Sequence, residues 1–278
     1  MISYIWKIMA TLHHMTPMEI IRSILSEASA RILEIYNSDT FDVMVKEDRS
    51  PVTQADLASD RVIIERLHQL TPGLTIISEE SEPAIQETGQ ATDRYWLLDP
   101  LDGTKEFIAR NGEFCISLAL VENGCPVEGY IFAPVSGEYW YAVKGKGAFK
   151  WIDGNPVKLP VTQLSGDYIL MKSRSHHGAP EERWISIAGK HINLHPPLTH
   201  GSAIKFGLIA EGRADLYLKK RGIYGWDIAA GAVILQESGG GIIEFDSGRP
   251  VKFNPDKNPV PHFLAYGSRI TDPGSLLF

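Results

Sequence analysis

The stretch Trp96-Leu97-Leu98-Asp99-Pro100-Leu101-Asp102-Gly103-Thr104-Lys105-Glu106-Phe107 decides how this chain is read. An apolar run that reads as a buried strand stops at two carboxylates three residues apart, with a proline between them. Gly103-Thr104 then reads as the opening of a short helix. Acids at a strand end hold a hard cation, and the N–H groups that begin a helix hold a phosphate. That pairing points to metal-assisted hydrolysis of a phosphate ester.

On the N-terminal side, Thr16-Pro17-Met18-Glu19 combines a capping hydroxyl, a proline suited to the first helical turn and a glutamate that completes a capping box. Ile21, Ile24, Leu25, Ala28, Ile32 and Ile35 keep one apolar face as far as Tyr36. Val43 to Lys46 reads as a short strand, broken by Glu47 to Pro51, and Asp56 opens a second helix to about Leu70. Leu74 to Ser78 is a strand running into Glu79-Glu80, with a polar loop from Ser81 to Asp93. Beyond Phe107, Cys115 to Val121 and Val127 to Phe132 flank the hairpin signal Asn123-Gly124, and Tyr139 to Val143 extends that sheet. In the second half, strands at Ile169 to Met171, Leu216 to Leu218 and Ile242 to Phe245 alternate with helices at Ala203 to Glu211 and Asp227 to Glu237. The expected organisation is an α/β layer packed beside an α+β layer, with a flexible tail over 1–15, a metal-binding part over 16–152 and a substrate-side part over 153–278.

With 278 residues, 44% of them hydrophobic, the chain has enough apolar surface for a sizeable core. A net charge of −7, from 27 basic and 34 acidic residues, argues against a nucleic-acid polymer as partner and leaves a small anionic substrate open. Cys115 and Cys125 are the whole cysteine complement, so no disulfide framework is expected and both read as reduced thiols of a cytoplasmic protein. The segment Met1 to Met15 is too short and interrupted to span a membrane and lacks a signal-peptide cleavage pattern.

Glu79, Asp99 and Asp102 each follow an expected strand, where open sheets present functional groups, and Asp56 and Asp227 stand at expected helix starts. Taken singly, Asp56 or Asp227 is an ordinary helix N-cap, Glu79-Glu80 solvated charge, and Asp99-Pro100 a turn. Their joint occurrence favours a cation site if they converge, because carboxylates in one cleft repel one another until a cation neutralises them; the residues alone do not establish that convergence. All-oxygen donors without a Cys/His cluster favour Mg²⁺ over zinc.

Trp96 to Thr104 with Phe107 resembles the first signature of the inositol monophosphatase superfamily of Mg²⁺-dependent, lithium-sensitive phosphatases. Trp226-Asp227-Ile228-Ala229-Ala230-Gly231, leading to Glu237-Ser238-Gly239-Gly240, resembles the second, and Ser78-Glu79-Glu80 and Pro51 to Asp56 fall where that family has its remaining acids. The resemblance runs from about Met18 to Ser268 and implies the layered αβαβα sugar-phosphatase fold with its site between the two halves. It also implies that the acids converge: Glu79, Asp99, the Leu101 carbonyl, Asp102 and Asp227 would bind two or three Mg²⁺ ions. Asp56 and Thr104 would orient and deprotonate the attacking water, and the N–H groups of Gly103 and Thr104 would receive the phosphate.

Within the superfamily the chain resembles the bacterial 3'(2'),5'-bisphosphate nucleotidase branch, through Lys46 to Thr53, Ser173-Arg174-Ser175-His176 and Gly201 to Phe206 with Ala210 to Tyr217. The implied substrate is adenosine 3',5'-bisphosphate, a by-product of sulfate assimilation, with 3'-phosphoadenylyl sulfate as a further candidate. Its second phosphate requires cation and hydroxyl donors remote from the metals. Ser175, His176, Ser202 and Lys205 are the candidates, with Glu79, Leu101, Asp102, Gly103, Thr104 and Asp227 on the reacting side. Lys220 stands where inositol monophosphatases usually carry a glutamate, and favours an extra anion. Gly225 departs from the branch, which commonly has glutamate there. The runner-up is an inositol-phosphate or broad sugar-phosphate monoesterase; a non-catalytic nucleotide- or metal-binding module is disfavoured because Thr104 and Asp56 persist beside every metal position. A monomer or homodimer in the cytoplasm is expected, with peripheral attachment to the inner membrane as the alternative location.

Overall fold

The computed structural model describes residues 15–45, 51–80, 93–162, 164–175, 178–220, 223–255 and 259–277. The expected tail up to residue 14, Lys46 to Ser50, the loop 81–92, His176 and His177 lie outside them.

Helix α1 (Pro17–Tyr36) begins at the Thr16–Glu19 capping box, and its buried stripe is Ile21, Ile24, Leu25, Ala28 and Ile32. Strands β1 (Val43–Val45) and β2 (Pro51–Thr53) form an antiparallel pair, and α2 (Gln54–Leu70) follows directly. A seven-stranded sheet then runs in the order β3 (Thr75–Ser78), β4 (Arg94–Asp102), β5 (Cys115–Glu122), β6 (Cys125–Ala133), β7 (Glu138–Val143), β8 (Gly147–Ile152) and β9 (Asn155–Lys158). Only the β3–β4 pair is parallel; the rest is an antiparallel meander. The five-residue α3 (Thr104–Ile108) caps the end of β4.

The sheet continues to Lys158, past the seam expected at 152, and residues 159–167 lead into a five-stranded sheet. That sheet contains β10 (Tyr168–Ser173), β11 (Leu194–His200), β12 (Leu216–Lys219), β13 (Gly241–Glu244) and β14 (Phe263–Tyr266), ordered β11-β10-β12-β14-β13. Helices α4 (Ala179–Ala188), α5 (Ile204–Ala210) and α6 (Gly225–Glu237) are interleaved with these strands.

Period-two alternation assigns each sheet face to a core. Along β4, Trp96 and Leu98 join the α1/α2 residues Leu25, Ile32 and Ile63, while Tyr95 and Leu97 join Phe206 of α5 and Ile228 and Val233 of α6. The same α5/α6 layer meets Met171, Tyr217 and Ala265 from the second sheet, whose other face packs Leu170, Leu216 and Leu264 against Trp184 of α4. The layers therefore stack as α1/α2, sheet, α5/α6, sheet, α4: the expected αβαβα arrangement.

Several local expectations are corrected. Asp56 and Asp227 do not open their helices but sit at the third helical position, where each side chain reaches back to the N–H of the cap residue, Thr53 and Tyr224. Gly178-Ala179-Pro180 reads as a loop, yet proline in the first turn starts α4. Strand β11 holds Pro196 and Pro197, which mask it in the sequence and are tolerated because it is a sheet edge. Strands β9 and β14 are likewise absent from the sequence reading. Among the described residues no helix is long and apolar enough to cross a membrane.

Candidate active site

The site forms where the parallel pair β3–β4 ends. Ser78 pairs with Leu98, and the Glu79 N–H donates to the Leu98 carbonyl at 3.0 Å, so Glu79 comes to lie beside Asp99, which stays in β4 opposite Ser117. The ladder to β5 is irregular between Asp99 and Asp102, and the Leu101 N–H turns back to Asp99 Oδ1 at 3.0 Å. Gly103 then takes φ +96°, a conformation glycine adopts without steric cost, and α3 starts at Thr104.

One face of α2 fastens this region. The Thr104 hydroxyl donates to Asp56 Oδ1 at 3.2 Å, Ser59 Oγ donates to the Pro100 carbonyl at 2.7 Å, and Ser78 Oγ donates to Asp60. These positions, three and four residues apart, share one helical face. Asp56 is 1% exposed, behind Thr104, and its other oxygen accepts the N–H and hydroxyl of Thr53 at 2.8 and 2.6 Å.

Asp227 arrives from the other half on α6, whose first turn is tied to β5 by Ser117 Oγ donating to the Trp226 carbonyl at 2.9 Å. Glu79, Asp99 and Asp227 each present one oxygen, all within 4.8 Å of one another. Asp102 stands beside them, accepting the Ala203 N–H, and the Leu101 carbonyl lies 3.5 Å from Thr104 Oγ1. Burial, then repulsion from Glu79, Asp102 and Asp227, pushes the Asp99 carboxyl well above its usual range. Burial followed by Asp102 and Glu79 does the same to Asp227. Asp102 is pushed up to about 6 by burial, against the pull of Lys205. A cluster of hard oxygen donors whose ionisation is opposed by its own geometry fits a divalent cation, which reverses that penalty.

The cleft has a volume of about 370 Å³, and Glu79, Asp99, Leu101, Asp102, Gly103, Thr104, Ser202, Lys205 and Asp227 all line it. Lys205 is 4% exposed, its Nζ donates to the Ser202 carbonyl, and burial lowers its ammonium below the usual range. Ser175 is not among the lining residues; its hydroxyl donates to Glu106 Oε1 at 2.5 Å. Ser173 and Tyr217, marked in the sequence only as parts of the branch motifs, and Lys219, which had no expected role, line the cleft as well. Lys220 carries no such role: its Nζ lies 3.7 Å from the Phe245 ring centroid, on the outer core, while the buried Lys219 faces the cleft. Alternation along β12 is the signal that separates the two, because Tyr217 and Lys219 share a face.

The inositol monophosphatase family model matches residues 15–264. The 3'(2'),5'-bisphosphate nucleotidase CysQ of Escherichia coli K12 is 37% identical over 245 residues, 88% of this chain and 95% of that protein. Its Salmonella typhimurium counterpart is 38% identical over the same shares. The crystal structure of CysQ from Bacteroides thetaiotaomicron, a bacterial member of the inositol monophosphatase family, superposes with a TM-score of 0.76 at 32% identity, covering 90% of this chain and 97% of that one. The chain belongs to the inositol monophosphatase family.

Proposed function

We propose that this protein is a Mg²⁺-dependent 3'(2'),5'-bisphosphate nucleotidase that hydrolyses the 3'-phosphate of adenosine 3',5'-bisphosphate to give AMP and phosphate, with 3'-phosphoadenylyl sulfate as a second substrate. The observation that carries this reading is the three-carboxylate cluster beside the Thr104–Asp56 pair, faced across one cleft by the buried amines of Lys205 and Lys219. Similarity over nearly the whole chain to proteins bearing the nucleotidase name supports the same choice.

Glu79, Asp99, Asp102, Asp227 and the Leu101 carbonyl would hold two or three Mg²⁺ ions. When bound, Mg²⁺ supplies charge neutralisation at the phosphoryl oxygens and a lowered pKa for water. Thr104, its proton directed at Asp56, offers lone pairs that orient the attacking water. Burial raises the Asp56 pKa from its ordinary value, the direction required of a proton acceptor near neutral pH. The N–H groups of Gly103 and Thr104 receive the ester phosphate. Water forms the new bond to phosphorus, the bond from phosphorus to the sugar oxygen breaks, and that oxygen takes up a proton to leave as the 3'-hydroxyl. Lys205 and Lys219, with Ser202, hold the second phosphate, a group an inositol monophosphate lacks. Both thiols being free, a reducing cytoplasm suits the chain.

Phosphate release from adenosine 3',5'-bisphosphate, 3'-phosphoadenylyl sulfate, inositol 1-phosphate and sugar phosphates, with and without Mg²⁺, tests the reading. Preference for the bisphosphate nucleotide is expected. Faster turnover of the inositol ester replaces the proposal with a broad monoesterase.

A further inference from the structure

Glu113 receives three hydrogen bonds from the opposite half of the molecule. It lies between α3 and β5, on the side of the cleft that carries Asp99 and Asp102. Arg174, just past the end of β10, brings Nε and Nη2 to 2.6 Å from the two Glu113 carboxylate oxygens. The Gly201 N–H, where β11 turns toward α5, donates to the same carboxylate at 2.7 Å. Burial alone would raise the Glu113 carboxyl, but the bonds from Arg174 and Gly201 outweigh it and hold it below the usual range.

These bonds fix a turn with little freedom. A Cβ on Gly201 would lie 2.6 Å from both Glu106 Cγ and the Glu113 carbonyl oxygen, so the two halves touch backbone to side chain here. Ser202 follows at φ +48°, a conformation that persists in a non-glycine residue only where its surroundings enforce it. Next, the Ala203 N–H meets Asp102, and Lys205 Nζ holds the Ser202 carbonyl. Ser175 adds a second fastening through Glu106.

We propose that Glu113 and Arg174 are positioning residues, a clasp that sets the spacing between the carboxylate side of the cleft and the Lys205–Lys219 side; this rests on the bisphosphate reading of the site. A monophosphate ester needs only the carboxylate cluster, whose one member from the second half, Asp227, is tied to β5 independently of Glu113 by the Ser117–Trp226 bond. A bisphosphate must reach both, so it alone feels the spacing. Ion pairs wholly in solvent do little, but this one is a planar fork on a carboxylate only 18% exposed, which sets direction as well as distance.

The test measures KM and kcat of Arg174→Ala, Glu113→Gln and Arg174→Lys with adenosine 3',5'-bisphosphate and with adenosine 3'-monophosphate. The KM for the bisphosphate is expected to rise about tenfold in Arg174→Ala with kcat little changed, the pattern of binding lost equally in ground and transition state. The monophosphate stays unaffected, and Arg174→Lys recovers only part of the loss. An equal rise for both esters, or no rise for either, overturns the clasp. A second measurement needs no substrate: spin labels at Ser136→Cys and Lys190→Cys in a Cys125→Ser background report the distance between the halves. A longer or broader distance in Arg174→Ala upholds the clasp even where the wild type prefers an inositol ester, a result that would sink the nucleotidase reading alone. An unchanged distance distribution overturns it.

Discussion

Asp102 shows how much one side chain is asked to do. It accepts the Ala203 N–H from the opposite half, faces the cleft, and sits under the field of buried Lys205. Asp102→Asn keeps the shape and can still accept that N–H, but it removes the charge. Phosphate release is expected to fall by about 10²- to 10³-fold, the scale of losing a preorganised electrostatic group, while circular dichroism stays unchanged. Retained turnover would remove Asp102 from the proposed metal ligands. Lys219→Met deletes a buried cation while keeping the bulk of its stem. A hydrogen bond to a charged group contributes about 1.5–3 kcal/mol, so the KM for the bisphosphate should rise roughly tenfold to a hundredfold. Inositol 1-phosphate, lacking the second phosphate, should show no such rise. The acids of the candidate site were legible residue by residue, because each stands where an apolar strand run gives way to carboxylates or in a helix's first turn. Lys219 was not, since the strand expected from sequence stops at Leu218, and the alternation with Tyr217 that turns Lys219 inward needs the strand to reach Lys219.

At the scale of elements, α2 works as a rail. Asp56, Ser59 and Asp60 hold Thr104, the Pro100 carbonyl and Ser78 in turn. Ser59→Ala leaves the buried Pro100 carbonyl without that donor, at a cost of about 1–3 kcal/mol. A lower urea midpoint with an unchanged slope should report it, and an unmoved midpoint would show that the bond is replaceable. Helix-start residues marked α2 and α6, the latter buried nearly all round between the two sheets, while apolar periodicity revealed α1 from its one consistent face. It missed β11 and α4 because proline and glycine there read as breakers, although an edge strand and a first helical turn both tolerate proline.

For the whole molecule, the clustered carboxylates link stability to pH. Asp56, Asp99, Asp102 and Asp227 all hold protons more tightly in the folded chain than in the unfolded one. Their protonation therefore stabilises the metal-free protein below the unfolded values of about 4, and that contribution is lost as pH rises through the folded values. For Asp102 the folded value is about 6. At about 1.4 kcal/mol per pKa unit, Asp102 alone accounts for roughly 2–3 kcal/mol. In chelator, the melting temperature should fall between pH 5 and pH 8, and millimolar Mg²⁺ should flatten or reverse the trend. A pH-independent melt in chelator would contradict this electrostatic account. Lithium at millimolar concentration should inhibit turnover by competing at a cation position, and an insensitive enzyme would exclude that competition.

The sequence by itself determined the residue types and most local elements, because strand alternation, helix periodicity and capping act over a few neighbours, and its two signature stretches marked the family. Only the tertiary structure decided that Asp99 and Asp227 share a cluster, that Lys219 rather than Lys220 lines the cleft, and that Ser175 bonds to Glu106 instead of facing it. Those outcomes depend on how α6 and the second sheet pack across the first, through contacts between segments too distant in the chain for any local pattern to encode.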